Sequence, residues 1–254
     1  MTDAPTKRAP AVTRAVAILR RLGAATEPMG VNRLARELDL VPSTCLHILR
    51  VLVEEGLVDV DEGSKRYTIG AGILPIARNA IQRNDFAMLA QPKLIELSRA
   101  FGVTGIATQL IQDRHMVVVA LAPAQQPFRL STELGSRFPT LTSATGRCVA
   151  AFGALDEDAL RDRFDRLIWD HPPGIDAWMA QVDETRRNGY GVDRGEYING
   201  VGIVAAPVFD GAGRMTRSLV AIGLVDRIES EGAARIADAM LRMRDEISSR
   251  LVTN

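Results

Sequence analysis

The apolar positions of the first seventy residues recur at helical spacing and then switch to alternation. Val12, Ala15, Val16, Leu19 and Leu22 predict an amphipathic helix over 12–22. Residues 26–30, with Pro28 and Gly30, break it. Val31, Leu34, Ala35 and Leu38 place a second, shorter helix over 31–38, and residues 39–41 turn. Pro42 then opens a third helix at a position where its missing N–H costs nothing. Here Cys45, Ile48, Leu49 and Leu52 form the apolar stripe. Ser43, Leu46, His47 and Arg50 take the opposite side, with Thr44 at its edge. Ser43 or Thr44 is placed to cap the helix start, and Gly56 ends the helix. "LVDV" and "KRYTI" follow as two strands around the turn "DEGS". Three helices and a two-stranded wing make residues 11–70 a winged helix-turn-helix.

Beyond residue 70 the pattern becomes mixed. Residues 71–84 are helical in pattern, with Pro75 a little inside the start, and form a linker helix. A helix over 86–101, interrupted near Pro92, precedes strands at 105–111 and 116–121. Residues 135–152 begin as a loop and end as a helix; 157–164 and 176–188 are helical. Strands follow at 191–194, 202–209 and 218–224, the last after the turn "DGAG". A single amphipathic helix covers 229–251. The fold class is therefore α+β. A winged helix-turn-helix and a linker helix precede a mixed domain over 85–254, and polar residues 1–10, with two prolines, form a disordered arm.

Composition narrows the setting. With 46% apolar and 24% charged residues, 254 residues can bury a core without disulfides or metals. Cys45 and Cys148 are far apart and form no CxxC pair, so a reducing cytoplasm is expected. The N-terminal "MTDAPTKRAPAV" has no signal-peptide core, and the apolar runs 116–123 and 201–209 are too short to cross a bilayer, so no membrane partner is expected. Net charge is zero, yet residues 1–53 hold eight basic and four acidic side chains. That excess hints at an anionic partner for the N-terminal end.

The third helix supplies the partner's identity. A helix of this size fits the DNA major groove, where Ser43 and Thr44 hydroxyls can donate to and accept from base edges. Arg14, Arg33 and Arg50 are candidates for phosphates, and Arg66 on the wing for backbone or minor groove. Any one of these residues alone has a plain structural explanation: Ser43 as a cap, Arg50 as an exposed charge. The agreement of helix order, turn, wing and basic excess favours double-stranded DNA. A protein-interaction adaptor built on a winged helix is the alternative. An enzyme is a weaker one. His47, His115 and His171 have no metal-ligand spacing, Ser143 lacks the GxSxG elbow, and no phosphate loop is present. Neither cofactor nor metal is expected.

Nearly the whole chain resembles the IclR family of bacterial transcriptional regulators. The resemblance rests on "RAVAILRRLG", "VNRLARELDLVPSTCLHILRVLVEEGLV" and "KRYTIGAGIL", and, more specifically, on "GSRFPTLTSATGR" and "GYGVDRGEYINGVGIVAAPVFDGAG". It implies a C-terminal GAF-like α/β effector-binding domain, a homodimer or homotetramer, and control of a small catabolic gene cluster. Leu46 stands where a His is frequent and His47 where an Arg is frequent. Leu46 can meet a thymine methyl, and His47 is a weaker phosphate or guanine partner, so an operator different from the family's common ones is expected. In the second half the resemblance places the effector at a loop-to-helix turn, here Leu141, Ala144 and Thr145, whose free N–H groups suit a carboxylate. Asp193 matches an acidic position beside that pocket. Ile203 replaces a frequent Cys, and Val220 and Ile222 stand where the family can carry Ser. The wall is thus more apolar, and the expected effector is an organic acid with an apolar or aromatic body. The alternative is that Ile203, Val220 and Ile222 are ordinary core.

Overall fold

The computed structural model describes residues 9–112, 114–124 and 132–251; positions 1–8 of the predicted arm lie outside them. The chain divides into two compact units, one ending at Arg83 and the other beginning at Asn84.

The first unit runs α1 (Pro10–Gly23), β1 (Met29–Gly30), α2 (Val31–Glu37), α3 (Pro42–Glu54), β2 (Val58–Asp61), β3 (Arg66–Ile69) and α4 (Ile73–Gln82). Its core joins Ile18 and Leu22 of α1, Leu34 and Ala35 of α2, and Cys45, Leu49 and Leu52 of α3, closed by Met29, Val58 and Tyr67. Three details differ from the sequence pattern. Val12 is 61% exposed, and the buried line of α1 runs instead through Ile18 and Leu22, four residues apart on one face. Ile48 is only half-buried, at the edge of the stripe. Residues 29–30, expected only to break the chain, form a third strand. Met29 pairs with Tyr67, giving the sheet order β1-β3-β2 and one more apolar side chain on its inner face. The wing leaves through a tight crossing. A Cβ on Gly70 or Gly72 would come within 2.5 Å of the Gly56 carbonyl oxygen, so only glycine lets the strand fold back there.

The second unit runs α5 (Asp85–Phe101), β4 (Thr104–Ile111), β5 (His115–Ala122), β6 (Arg137–Pro139), α6 (Ser143–Phe152), α7 (Glu157–Phe164), α8 (Ile175–Asn188), β7 (Gly191–Arg194), β8 (Val201–Phe209), β9 (Met215–Leu224), α9 (Val225–Glu231) and α10 (Ala233–Leu251). Its six strands form an antiparallel sheet in the order β6-β5-β4-β9-β8-β7. Alternation along each strand sends one set of side chains to each face. Val103, Ala107, Ala120, Val204, Ala206, Leu219 and Ala221 pack with α5 and α10. Ile106, Met116, Val118, Ile203, Ala205 and Val220 pack with α6 and α8.

Two expectations are corrected here. Helix α5 is not interrupted at Pro92. Pro92 is exposed, as is Met88 one turn before it, so the carbonyl that the ring leaves without a donor lies on the solvent side. The single final helix is two helices, because Gly232 takes a φ of +83° between them.

Candidate functional site

The start of α3 is held by backbone geometry alone. Val41 is the extended residue before the helix, Pro42 opens it, and no side chain caps it. The expected capping role of Ser43 or Thr44 is therefore absent. Ser43, His47 and Arg50 are exposed, and Thr44 and Leu46 are half-buried beside them. Cys45, Leu49 and Leu52 turn the opposite side into the core. Among the described residues the Ser43, Thr44, His47 and Arg50 side chains have no hydrogen-bond or ionic partner within the chain. The five predicted reading residues thus share one open, uncommitted helix face.

The flanking cations differ from one another. Arg14 is exposed on α1. Arg33 donates through Nε to Glu37 at 2.9 Å, and Arg21 donates through Nε to the other oxygen of the same carboxylate at 2.5 Å. These two bonds, Arg33's first, hold the Glu37 carboxyl below the usual range. The terminal nitrogens of Arg33 remain available. Arg66 is exposed on β3, in register with Asp61. The wing around it carries exposed Asp59, Asp61 and Glu62 against Lys65 and Arg66, and Lys65 is paired with Glu62. Asp61 accepts from both the backbone N–H and the hydroxyl of Ser64 at 2.6 Å, which shapes the wing tip. Net negative charge there makes the wing a poor phosphate element.

In the second unit the loop-to-helix turn at α6 is enclosed. Residues 141–150 are all buried. Thr142 is the extended residue before the helix, and its hydroxyl donates to the Pro139 carbonyl at 3.0 Å rather than capping. Ser143 follows with a φ of +60°, a strained value for a residue with a Cβ. The loop presses directly on the first helical turn: a Cβ at Gly146 would lie 2.1 Å from the Leu141 backbone. Around this turn the Thr140 and Thr145 hydroxyls are buried and have no hydrogen-bond partner among the described residues. Two orphan hydroxyls beside the N-terminus of a buried helix form an acceptor and donor set without an internal match.

The remaining predicted residues lie on the sheet face that α6 covers. Leu141, Ala144, Ile203 and Val220 belong to one apolar cluster, with Ile222 packed against it. Ile203 and Val220 are nearly fully buried, and Ile222 is half-buried. Asp193 pairs with Ile203 and Ile203 with Ile222, so the three form one row across β7, β8 and β9. Asp193, however, is occupied. One oxygen accepts the backbone N–H groups of Gly195 and Glu196 at 3.0 and 3.1 Å and that of Tyr197 at 3.4 Å. The other accepts Arg147 Nη1 at 3.2 Å.

Arg147 is the residue that sequence reasoning missed. It is wholly buried, donates through Nε to Gln181 at 2.9 Å, pairs with Glu196 as well as Asp193, and lies 6.0 Å from the Trp169 ring. This one guanidinium ties α6 to α8, β7 and the loop after it. The available signal was an arginine inside the otherwise apolar run "ATGRCVAAF". Cys148, its neighbour, donates its thiol to the Ala205 carbonyl at 3.3 Å, and burial pushes its pKa up to about 12. Burial also raises Cys45. Among the described residues no cluster of three His, Cys, Asp or Glu could hold a metal, and no helix is long and apolar enough to cross a membrane.

A winged helix-turn-helix with an open polar helix face, joined to a mixed α/β unit with an enclosed polar turn, is the build of a DNA-binding regulator with a small-molecule domain. Comparison with known proteins agrees. Residues 11–62 match the IclR helix-turn-helix domain, and residues 78–249 match the C-terminal domain of the bacterial transcriptional regulator IclR. The chain belongs to the IclR family of bacterial transcriptional regulators. It is 29% identical over 230 residues to the glycerol operon regulatory protein of Streptomyces coelicolor, covering 87% of each chain. Among solved structures, an IclR-type regulator from Alicyclobacillus acidocaldarius superposes with a TM-score of 0.83 at 24% identity, covering 95% of this chain and 98% of that one. An IclR homologue from Microbacterium hydrocarbonoxydans, solved with 4-hydroxybenzoate, gives 0.79 at 13% identity, covering 96% and 100%. At these identities the two structures show the shared fold. The curated relatives are transcriptional regulators, and the enzyme alternative is set aside on that ground.

Proposed function

We propose that the chain binds operator DNA through α3 and that a small organic acid with an apolar or aromatic body controls this binding from the α6 turn. The observation that carries the reading is the pair of buried, unpartnered hydroxyls, Thr140 and Thr145, at the start of α6. A carboxylate there completes both hydroxyls and meets the positive end of the helix. Leu141, Ala144, Ile203, Val220 and Ile222 supply apolar surface on the same side of the sheet. That an IclR homologue of the same fold was solved with 4-hydroxybenzoate supports an aromatic acid. Asp193 acts indirectly, by fixing Arg147 and through it the helix that presents the turn.

On the DNA side, Ser43, Thr44, Leu46 and His47 face base edges, while Arg50, Arg14 and Arg33 hold phosphates; Arg66 contributes less. Residues 71–84 serve as the linker between the winged helix-turn-helix (11–70) and the effector domain (85–254). Its helix α4 leaves Leu74, Ile76 and Ile81 about two-thirds exposed, at 69, 66 and 70%, which suits pairing of two copies into a homodimer or, doubled, a homotetramer. Two reading helices then meet two half-sites in the operator of a catabolic gene cluster, in the cytoplasm.

The test is binding of the full chain to DNA selected from a random pool, followed by fluorescence anisotropy. Affinity is expected to fall steeply with salt and to change when the controlling acid is added. Salt-insensitive binding, or binding that no organic acid alters, would favour the adaptor reading.

A further inference from the structure

The sheet face under α6 holds a second polar feature, unconnected to the turn by any hydrogen bond among the described residues. Thr108 of β4 and Ser218 of β9 are in register across the sheet, and their hydroxyl oxygens are 2.7 Å apart. Both residues are wholly buried. Alternation puts them on the same face as Ile106 and Val220, their neighbours two positions along each strand. Val118 pairs with Thr108 from the other side. Ile106, Val118 and Val220 belong to the apolar cluster that also holds Leu141 and Ala144. The hydroxyl pair is therefore set into the apolar face of the sheet that α6 covers.

Hydrogen counting gives the pair an unmet need. Each hydroxyl carries one hydrogen, and their mutual bond uses one of the two. The second hydrogen has no acceptor among the described residues. Lone pairs on both oxygens are also unused. In an apolar surround such a group calls for a partner with both donor and acceptor capacity, which is the chemistry of a hydroxyl. Along β9, the positions facing α6 run Ser218, Val220, Ile222, so the wall that looked wholly apolar from Val220 and Ile222 has one polar end.

We infer that Thr108 and Ser218 form a specificity-determining pair that receives a hydroxyl on the body of the effector, making the preferred effector a hydroxylated acid. This rests on the reading of the α6 turn as the site of the acid group. The apolar body lies against Ile106 and Val220, and its hydroxyl donates to and accepts from the Thr108–Ser218 pair.

The experiment is calorimetric titration of the full chain with matched acids that differ by one hydroxyl: benzoate and 4-hydroxybenzoate, phenylacetate and 4-hydroxyphenylacetate, butyrate and 4-hydroxybutyrate. In at least one pair the hydroxylated member is expected to bind at least about tenfold more tightly, since a site built for a hydroxyl rejects the analogue without it. Thr108→Val and Ser218→Ala each remove that preference while leaving affinity for the plain acid within about twofold, because both keep the packing nearly unchanged. Thr108→Ser retains the preference. Equal affinity for both members of every pair, or a preference that survives Thr108→Val, overturns the assignment alone. If no acid of either kind binds, the α6-turn reading fails and this inference with it. A melting curve for each variant separates loss of recognition from loss of fold.

Discussion

Helices α3 and α6 start with the same chemistry and end with opposite exposure. One opens "PSTC", the other "TSATG", and neither uses a side chain to cap itself. At α3 the hydroxyls of Ser43 and Thr44 stand at the surface, where water satisfies them until a macromolecule displaces it. At α6 the hydroxyls of Thr140 and Thr145 are enclosed and lack partners among the described residues. An open hydroxyl can wait without penalty and suits a partner as large as a DNA groove. A buried one is destabilising until something small enough to enter completes it. The difference lies in what packs over each helix. α3 buries one stripe and leaves the other bare, whereas α6 is covered by its own preceding loop, by α8 and by the sheet.

Substitutions separate the two regions, beginning with the largest effect. Replacing Arg147 by Met leaves Asp193 buried without its cation. The effector unit should lose about 3–5 kcal/mol, the range for breaking a buried pair. Chemical denaturation followed by intrinsic fluorescence reads this directly, and an unchanged midpoint would refute the buried-network account. Thr44→Val should shift discrimination among operator variants by about 1–3 kcal/mol at one base position and leave the melt unchanged. Competition binding against a library of single-base operator changes measures that shift, and a uniform loss over all sequences would place Thr44 off the base edges.

Arg50→Ala should weaken binding to every sequence and reduce the slope of log affinity against log salt by about 0.9, one phosphate contact. A slope identical to wild type would remove Arg50 from the phosphate set. At α6, Ser143→Gly should stabilise the unit by about 1 kcal/mol, because glycine takes a φ of +60° without strain. A loss instead would show that the Ser143 hydroxyl, 3.4 Å from the Thr145 N–H, matters more than the strain.

The Cys148 thiol gives the comparison a pH axis. Its folded pKa, about 12, stands above the ordinary thiol value of 9.0, so its contribution is complete below pH 9 and disappears as pH rises towards 12. Native protein should therefore resist alkylation at Cys148 at pH 8, as followed by mass spectrometry. Rapid labelling there would mean that the α6 region opens easily.

How much of this was legible in the chain depends on what a residue's neighbours in space add. The exposed polar face of α3 follows from helical spacing alone, because the stripe of Cys45, Leu49 and Leu52 fixes where Ser43, His47 and Arg50 must point. Strand alternation likewise places Val220 and Ile222 on one face. What spacing could not give is closure between distant segments. Ser218 was passed over because its partner, Thr108, is 110 residues away and only the β4–β9 register joins them. Arg147 meets its acids 46 and 49 residues on, across the same kind of gap. The rule for proline in a helix predicts a break at Pro92 that does not occur, since spacing alone does not show which side faces water. Gly232 gives no sign of a break in the sequence because the amphipathic pattern continues on both sides of it.

The central claim is that the enclosed α6 turn, and not the open α3 face, receives the small molecule. It is tested most directly by thermal shift of the full chain against acids from two carbons to aromatic, in the wild type, Thr145→Val and Thr44→Val. The account predicts a concentration-dependent rise for at least one acid in the wild type and in Thr44→Val, and its loss in Thr145→Val. An equal rise in all three proteins, or none in any, would contradict it.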